Sequence, residues 1–424
     1  MQRLNVLLSA YACRPGEGSE PGIGWDIAQE LAKYHDVWVI TRENNRPSIE
    51  AELIKNPVSG LRFIYCDLPL WARWWRRGNS GVGVQIHYYL WQIVAYFVSH
   101  DLHRRYHFNL VHHVTYVKYW GPSFLSLLPV PFIWGPVGGG ESAPAEFLQD
   151  FSWRGRLYET ARNIARWLGE QDPFVHITAQ RSILARATTE DTAQRLHALG
   201  AKTVQVYSQL GLSQSQIDEL ASLAGQDNFP VRFISIGRLL HWKGFHLGLQ
   251  AFAKAALPKS SDYWIVGDGP ERQRLETLVK DLDIQAQVKF LGMLPRQETL
   301  KCLGNCLALV HPSLHESGGL VCLEALAAGC PVLCLDLGGP AIQITENTGF
   351  KILASRPEQA VADLATAMTT LAEDQELRLR MGQAGQQHVR EHYSWTVRGQ
   401  ELAQLYREVL DESKYLSARD SAPS

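Results

Sequence analysis

The sequence predicts an α/β protein built from two doubly wound domains, and three observations carry that reading. The chain opens with an apolar strand (residues 4–10), a glycine-rich loop (14–24), a helical stretch from Trp25 to Lys33 and a second strand, VWVIT at 37–41. That is the order of a βαβ unit. After a polar stretch at 213–230 the same alternation starts again, with a strand at 231–237, a helix at 246–255 and a strand at 261–269 that ends in a glycine turn. The chain has 424 residues, 46% of them hydrophobic, which suits two domains of about 200 residues better than one core.

The remaining elements follow from the same periodicities. Residues 61–66, 108–115 and 130–134 read as strands, with aromatic helical material at 84–106. ITAQ (177–180) and TVQVY (203–207) complete a parallel sheet. In the second half, 271–282 is helical, while 287–292 and 306–313 are strands. A helix within 316–328 stops at Gly329, before the strand PVLCLD, because glycine ends helices readily. One more helical stretch covers 395–410. The domains expected are 1–210, 211–390 and a terminal helical segment, 391–412, with 413–424 a polar tail expected to be disordered.

Formal net charge is -2, from 41 basic and 43 acidic residues. A general nucleic-acid binder would carry a basic excess. The seven cysteines, at 13, 66, 302, 306, 322, 330 and 334, offer no paired metal spacing, so buried thiols in a reducing compartment are expected. No stretch is long and apolar enough to span a bilayer, and the N-terminus shows no secretory h-region. Together these point to the cytoplasm.

Ligands of doubly wound sheets bind beyond the carboxyl ends of the strands, and four segments stand there. RPGEGSEPGIGW (14–25) has neither the dinucleotide fingerprint spacing nor a Gly-Lys-Ser/Thr ending. Its Gly22 and Gly24 read either as tight turns or as a backbone wall facing a phosphate. In GRLLHWKG (237–244), Arg238 and Lys243 can clamp a diphosphate or be solvated surface cations. GDGPE (267–271) is a turn that can edge a nucleotide site at Gly267. In HPSLHESGGLVCLEALAAG (311–329), Gly318, Gly319 and Leu320 would present amides at a helix start. Glu324 within that apolar helix needs a partner, either paired hydroxyls of a ribose or a buried cation.

These motifs in this order resemble those of the retaining glycosyltransferases of family 4, in the glycogen-synthase-like superfamily. The match is Gly237-Arg238 with Lys243-Gly244, then Gly267-Asp268-Gly269-Pro270, then the pair Glu316 and Glu324, Pro331 and Gly338-Gly339. The resemblance implies a GT-B fold, two Rossmann-like domains facing across a cleft, with an N-terminal acceptor domain and a C-terminal donor domain. The terminal helix would cross back onto the first domain. Arg238 and Lys243 would contact the diphosphate of a nucleoside-diphosphate sugar, a UDP- or GDP-sugar. Glu324 would bind the ribose, and Glu316 the transferred sugar, with amides around Gly318–Leu320 assisting. Met293 would lie near the base. No cofactor or divalent metal would be needed, and transfer would follow a same-face internal return. The family commonly has a histidine near the sugar, and His112 and His113 both stand at the corresponding place. Two departures are the SGG after Glu316, where relatives often carry an aromatic residue, and YSQLG at 207–211 in place of a Pro-Asn-Gly-type turn.

The acceptor is expected to be a glycan or a lipid-linked glycan. Trp71, Trp74 and Trp75 with Arg73, Arg76 and Arg77, and Arg154, Arg156, Arg162 and Arg166 near Trp153 and Trp167, suit an anionic membrane surface. The same aromatics would equally serve a core or stack on a glycan. Competing functions on this scaffold are a glycan phosphorylase, a sugar epimerase and a nucleotide-sugar-binding protein without activity. A phosphorylase would normally need a lysine for pyridoxal phosphate, and nothing in the sequence marks one.

Overall fold

A computed structural model of the chain describes residues 3–69, 81–116, 118–224 and 230–420. The chain divides into two compact units: Met1–Gly140 with Asn163–Gln209 and Trp395–Ser424, and Glu141–Arg162 with Leu210–Ser394. The Trp/Arg segment at 71–77 lies outside the described residues.

The first unit carries a seven-stranded parallel sheet. Its strands are β1 (Asn5–Ala10), β2 (Asp36–Arg42), β3 (Leu61–Cys66), β4 (Leu110–Thr115), β5 (Phe132–Val137), β6 (Ser182–Ala187) and β7 (Val204–Val206). Their spatial order is β3-β2-β1-β4-β5-β6-β7. The second unit carries a six-stranded parallel sheet of β8 (Arg232–Ile236), β9 (Asp262–Val266), β10 (Val288–Gly292), β11 (Ala308–His311), β12 (Val332–Leu335) and β13 (Gly349–Ile352), in the order β10-β9-β8-β11-β12-β13. Helices cover the faces, so strands such as β4 and β12 are buried at every position, as the unbroken apolar run of β12 requires. In both sheets the order reverses beside the first strand, between β1 and β4 and between β8 and β11. Those two switch points are where this topology opens a crevice.

Four local expectations are corrected. ITAQ at 177–180 lies in the helix Pro173–Arg181, not in a strand. Asp172 caps that helix, its side chain accepting from the Phe174 amide at 2.9 Å, and Pro173 fills the first turn. An Asp-Pro pair is a helix-start signal that outweighs four residues of ambiguous periodicity. The strand is the next segment, β6. Gly22 and Gly24 do not lie in a loop either. The helix begins at Ser19 and buries both, and a Cβ at Gly22 would stand 2.0 Å from the Glu17 carbonyl oxygen, one at Gly24 2.4 Å from that of Ala12. Close backbone packing accounts for both glycines. Residues 141–162, placed with the first domain by their position in the sequence, pack with the second unit. The last helix continues from Trp395 to Asp420, into the stretch expected to be disordered, since polar composition also suits a solvated helix.

All seven cysteines are free, and only Cys302 is not fully buried. Burial pushes the Cys66, Cys330 and Cys334 thiols up to about 12, which keeps them protonated and unreactive.

Candidate donor site

The switch point of the second sheet gathers the charged residues of the two richest motifs. β8 and β11 run side by side, with Phe233 opposite Ala308 and Ile234 opposite Leu309. The loops leaving their carboxyl ends, 237–244 and 312–319, are therefore neighbours. They are also fastened to each other. The Leu314 amide donates to the Trp242 carbonyl at 2.8 Å. Gly244, at φ 67, lies so close to Pro312 that a Cβ would stand 1.9 Å from its carbonyl oxygen. Only glycine meets both demands.

That fastening brings Lys243 and Glu316 together across 73 residues of sequence. The Lys243 Nζ donates to Glu316 Oε1 at 2.7 Å, and His311 Nε2 donates to Oε2 at 2.6 Å. Burial pushes the Glu316 carboxyl up. The charge of Lys243, with the charge and hydrogen bond of His311, more than offsets this and holds it well below the usual carboxylate range. Glu316 is thus an anion fixed in orientation, one side turned to a cation. The loop after β12 fixes its backbone: the Gly339 amide donates to the Glu316 carbonyl at 2.7 Å, and a Cβ on Gly338 would stand 2.3 Å from that oxygen. The Gly338-Gly339 motif is therefore a close-packed support for Glu316.

Gly319 forms the start of the helix Leu320–Ala327, in left-handed geometry at φ 97. Gly318 accepts from the Gln343 amide at 2.8 Å through its carbonyl. Glu324 is buried in that helix, and the Arg296 guanidinium, half exposed, hydrogen-bonds its Oε1. Burial raises its carboxyl above the ordinary value, and Arg296 pulls back against that rise. The sequence left two partners open for Glu324; in the structure one of its oxygens has a cation, though a half-exposed one, Arg296. Arg238 is exposed and lines a cavity of about 970 Å³ with Leu240, His241, Trp242, His246 and Tyr158. Gly267 and its turn abut the same loop: the Gly267 amide donates to Gly292 and the Leu239 amide to Asp268. Met293, just past β10, is 73% exposed.

Sequence reasoning missed a second layer. Glu159 Oε1 accepts from both His241 Nε2 at 2.9 Å and His315 Nε2 at 3.0 Å, and all three residues are buried. Trp242 stacks between Tyr158 and His315, ring centroids 5.1 and 5.2 Å away. Burial pushes the Glu159 carboxyl up, yet the hydrogen bonds of the two histidines, with the charges of His315 and Arg162, bring it down to about 2. Burial pulls His315 below its ordinary value. Glu159 therefore clamps both loops, one through the residue before Trp242 and the other through the residue before Glu316. Ser317 adds a similar tie, donating to Glu141 at 2.7 Å. His311 and His315 were visible within HPSLHE; Glu159 had no signal, because it stands 82 and 156 residues from its two partners. Asp281 and Asp283, an Asp-x-Asp spacing, merely close the helix Arg272–Asp281. Among the described residues no cluster of acids, histidines or cysteines is arranged to hold a metal ion.

The first unit treats its two histidines differently. His112 Nε2 donates to the Gly135 carbonyl, and Nδ1 accepts from the Tyr406 hydroxyl of the terminal helix at 2.6 Å. His113 turns to the other face, 3.4 Å from the Tyr88 hydroxyl. Both are fully buried, and burial lowers His112 to about 3 and His113 to about 4. Both are neutral near pH 7. Within this unit neither is open to solvent: His112 is a packed, doubly bonded core residue, and His113 is buried beside Tyr88.

Two parallel Rossmann-like sheets, of seven and six strands, are the architecture of the GT-B fold class. Residues 224–388 match the family described as Glycosyl transferases group 1. A D-inositol 3-phosphate glycosyltransferase of Corynebacterium urealyticum is 34% identical over 181 residues, 41% of this chain and 42% of that protein. The chain thus matches well under half the length of that relative. Among solved structures, sucrose-phosphate synthase from Thermosynechococcus elongatus superposes with a TM-score of 0.61 at 19% identity, covering 97% of this chain and all of that one. Anabaena HepE, solved in complex with UDP-glucose, gives a TM-score of 0.58 at 16% identity, covering 96% of this chain and all of its own. At those identities the likeness is one of fold.

Proposed function

We propose that this chain is a retaining glycosyltransferase that moves a sugar from a nucleoside-diphosphate sugar, UDP- or GDP-linked, to a hydroxyl of a glycan or lipid-linked glycan. The observation that carries this reading is the Lys243–Glu316 pair, fixed at the switch point of a group 1 domain. Lys243 and Arg238 hold the diphosphate and neutralise the charge it gains as the sugar leaves. Glu316 faces the transferred sugar, where its fixed negative charge favours a carbon that becomes positive. Glu324 receives the ribose hydroxyls, and the amides at Gly318–Leu320 steady the phosphates. The bond from the anomeric carbon to the diphosphate breaks, the acceptor oxygen bonds on the same face, and its proton passes to the diphosphate. This chemistry needs only oriented charge and the exclusion of water, so no divalent metal or cofactor is invoked. No described helix is long and apolar enough to cross a membrane. The reading places the enzyme in the cytoplasm, at a membrane's inner face when its acceptor is lipid-linked.

The test is a panel of UDP-, GDP- and ADP-sugars assayed first for protection against thermal unfolding and then for transfer, with product configuration read by NMR. Protection by one donor, and an anomeric centre of unchanged configuration, are expected. Protection by none of them, or phosphate-dependent cleavage of a glycan instead, would sink the proposal.

A further inference from the structure

The helix Trp153–Glu170 is built inside out. Its exposed large side chains are Trp153 (70% exposed), Leu157 (61%), Ile164 (54%), Trp167 (59%) and Leu168 (58%), with Tyr158 nearly half exposed. Trp153, Leu157, Ile164 and Leu168 recur at intervals of four, seven and four, which at 3.6 residues per turn aligns them in one stripe. Trp167 sits at its edge. Three charged residues of the same helix lie on the opposite side: Glu159 and Arg166 are buried, and Arg162 is mostly so. An ordinary surface helix does the reverse. A single exposed leucine is unremarkable, but a row of five large apolar groups along a helix about 27 Å long is a binding surface.

The polar residues that flank the stripe choose the occupant. Arg154 and Arg156 are exposed on either side of it, with Arg154 lying over the Trp153 ring at 5.3 Å. The rest of the outer face, from Thr160 to Ala165, is made of Thr160, Ala161, Asn163 and Ala165, and no exposed carboxylate interrupts it before Glu170 at the helix end. The chain as a whole is slightly acidic, so a helix face whose own exposed charges before Glu170 are both arginines is a local feature. Tryptophan near each end, aliphatic residues between and arginine at the margins match the interface of an anionic bilayer, where indole rings sit at headgroup level and guanidinium groups meet phosphate. Of the two arginines, Arg154 is the one whose charge is turned to the stripe, over Trp153, while Arg156 also donates to the Leu148, Gln149 and Phe151 carbonyls.

We infer that the outer face of the helix Trp153–Glu170 docks the protein, parallel to the plane of the bilayer, on an anionic lipid surface. The inference deepens the reading of a lipid-linked acceptor and rests on it for the acceptor alone; the surface stands on its own geometry. Of the arginines marked in the sequence, Arg154 and Arg156 take part, whereas Arg162 and Arg166 turn inward.

The full chain is floated with vesicles of phosphatidylcholine alone and of phosphatidylcholine with 30% phosphatidylglycerol. Flotation with the anionic vesicles at low salt is expected, at least tenfold above that with neutral ones and weakened in 0.5 M salt. Ile164→Ser/Trp167→Ser/Leu168→Ser should reduce it tenfold or more, with an unchanged unfolding midpoint. Should that variant fold poorly, hydrogen exchange on the wild-type chain decides: vesicles must protect peptides within 153–170 above all others. No flotation on anionic vesicles, or protection elsewhere only, overturns the inference. So does sedimentation as a dimer that the triple substitution dissolves, since a second copy would then own the stripe. Nucleotide-sugar protection measured on the same preparations reports separately on the transferase reading.

Discussion

The two switch points share a topology and differ in what fills them. In the second unit, loops 237–244 and 312–319 bring together a lysine, a glutamate and three histidines, each tied to a named partner. In the first unit the corresponding strands end among aromatic rings: Tyr11 meets Tyr88, Trp91 and Tyr116 within about 5 Å. His112 is closed between Tyr406 and Gly135. One sheet has been furnished for charge and the other for packing and hydrogen-bonded order. The lesson is that parallel topology supplies a place for a site, while side-chain chemistry decides whether the place binds an anion. Fold likeness at 16–19% identity therefore speaks to the frame and not to the chemistry.

The comparison breaks first at Lys243 and Glu316. Lys243→Ala and Glu316→Ala should each lower turnover by about 10²–10³, the cost of removing one preorganised charge from a transition state, while circular dichroism and unfolding midpoints show an intact fold. Turnover within twofold of wild type would show that the charges of this switch point are structural. Gly244→Ala should come next. It forces a Cβ onto the Pro312 carbonyl at a positive φ, and a loss of about 1–3 kcal/mol in denaturant unfolding is expected, with activity falling because the two loops part.

A pH series sharpens the comparison. Glu159 is held down at about 2, against about 4.3 for a free glutamate. Its contribution is thus complete above the higher value and is lost as pH falls toward the lower. His315, also lowered, acts in the same direction below its ordinary value of about 6.5. Wild-type stability should fall through this acid range, and Glu159→Gln should flatten the slope between about pH 4 and 2. Equal slopes for the two proteins would remove Glu159 from its clamping role. The smallest effect belongs to the first unit: Tyr406→Phe takes one hydrogen bond from His112. It should cost about 1–2 kcal/mol in chemical denaturation and leave donor protection unchanged.

Much of the second unit was legible in the sequence because its signals are local. Glycine at 237, 267 and 319 marks backbone that turns sharply after a strand or before a helix, and each has a positive φ in the structure. Arg238 and Lys243 could be singled out as cations just past a strand's carboxyl end, Glu324 because a charge inside an apolar helix is costly without a partner, and Glu316 through its spacing from Glu324 in the family pattern. The first unit was harder to read. Gly22 and Gly24 looked like a loop because glycine serves tight packing and tight turns alike. ITAQ looked like a strand because four residues carry too little period to outvote a cap.

By itself the sequence determined the alternation of strands and helices, the restart of that pattern, and which ionisable groups stand at strand ends. Hydrophobic period and turn chemistry act over a few residues, so they survive in the linear text. Tertiary structure alone decided that Glu159 reaches across to His241 and His315, that Glu324 has Arg296 beside it, and that His112 is sealed. It also decided which side of the helix Trp153–Glu170 looks outward. A periodic stripe says that one face is apolar; only the packing of the rest of the chain says whether that face is hidden or shown.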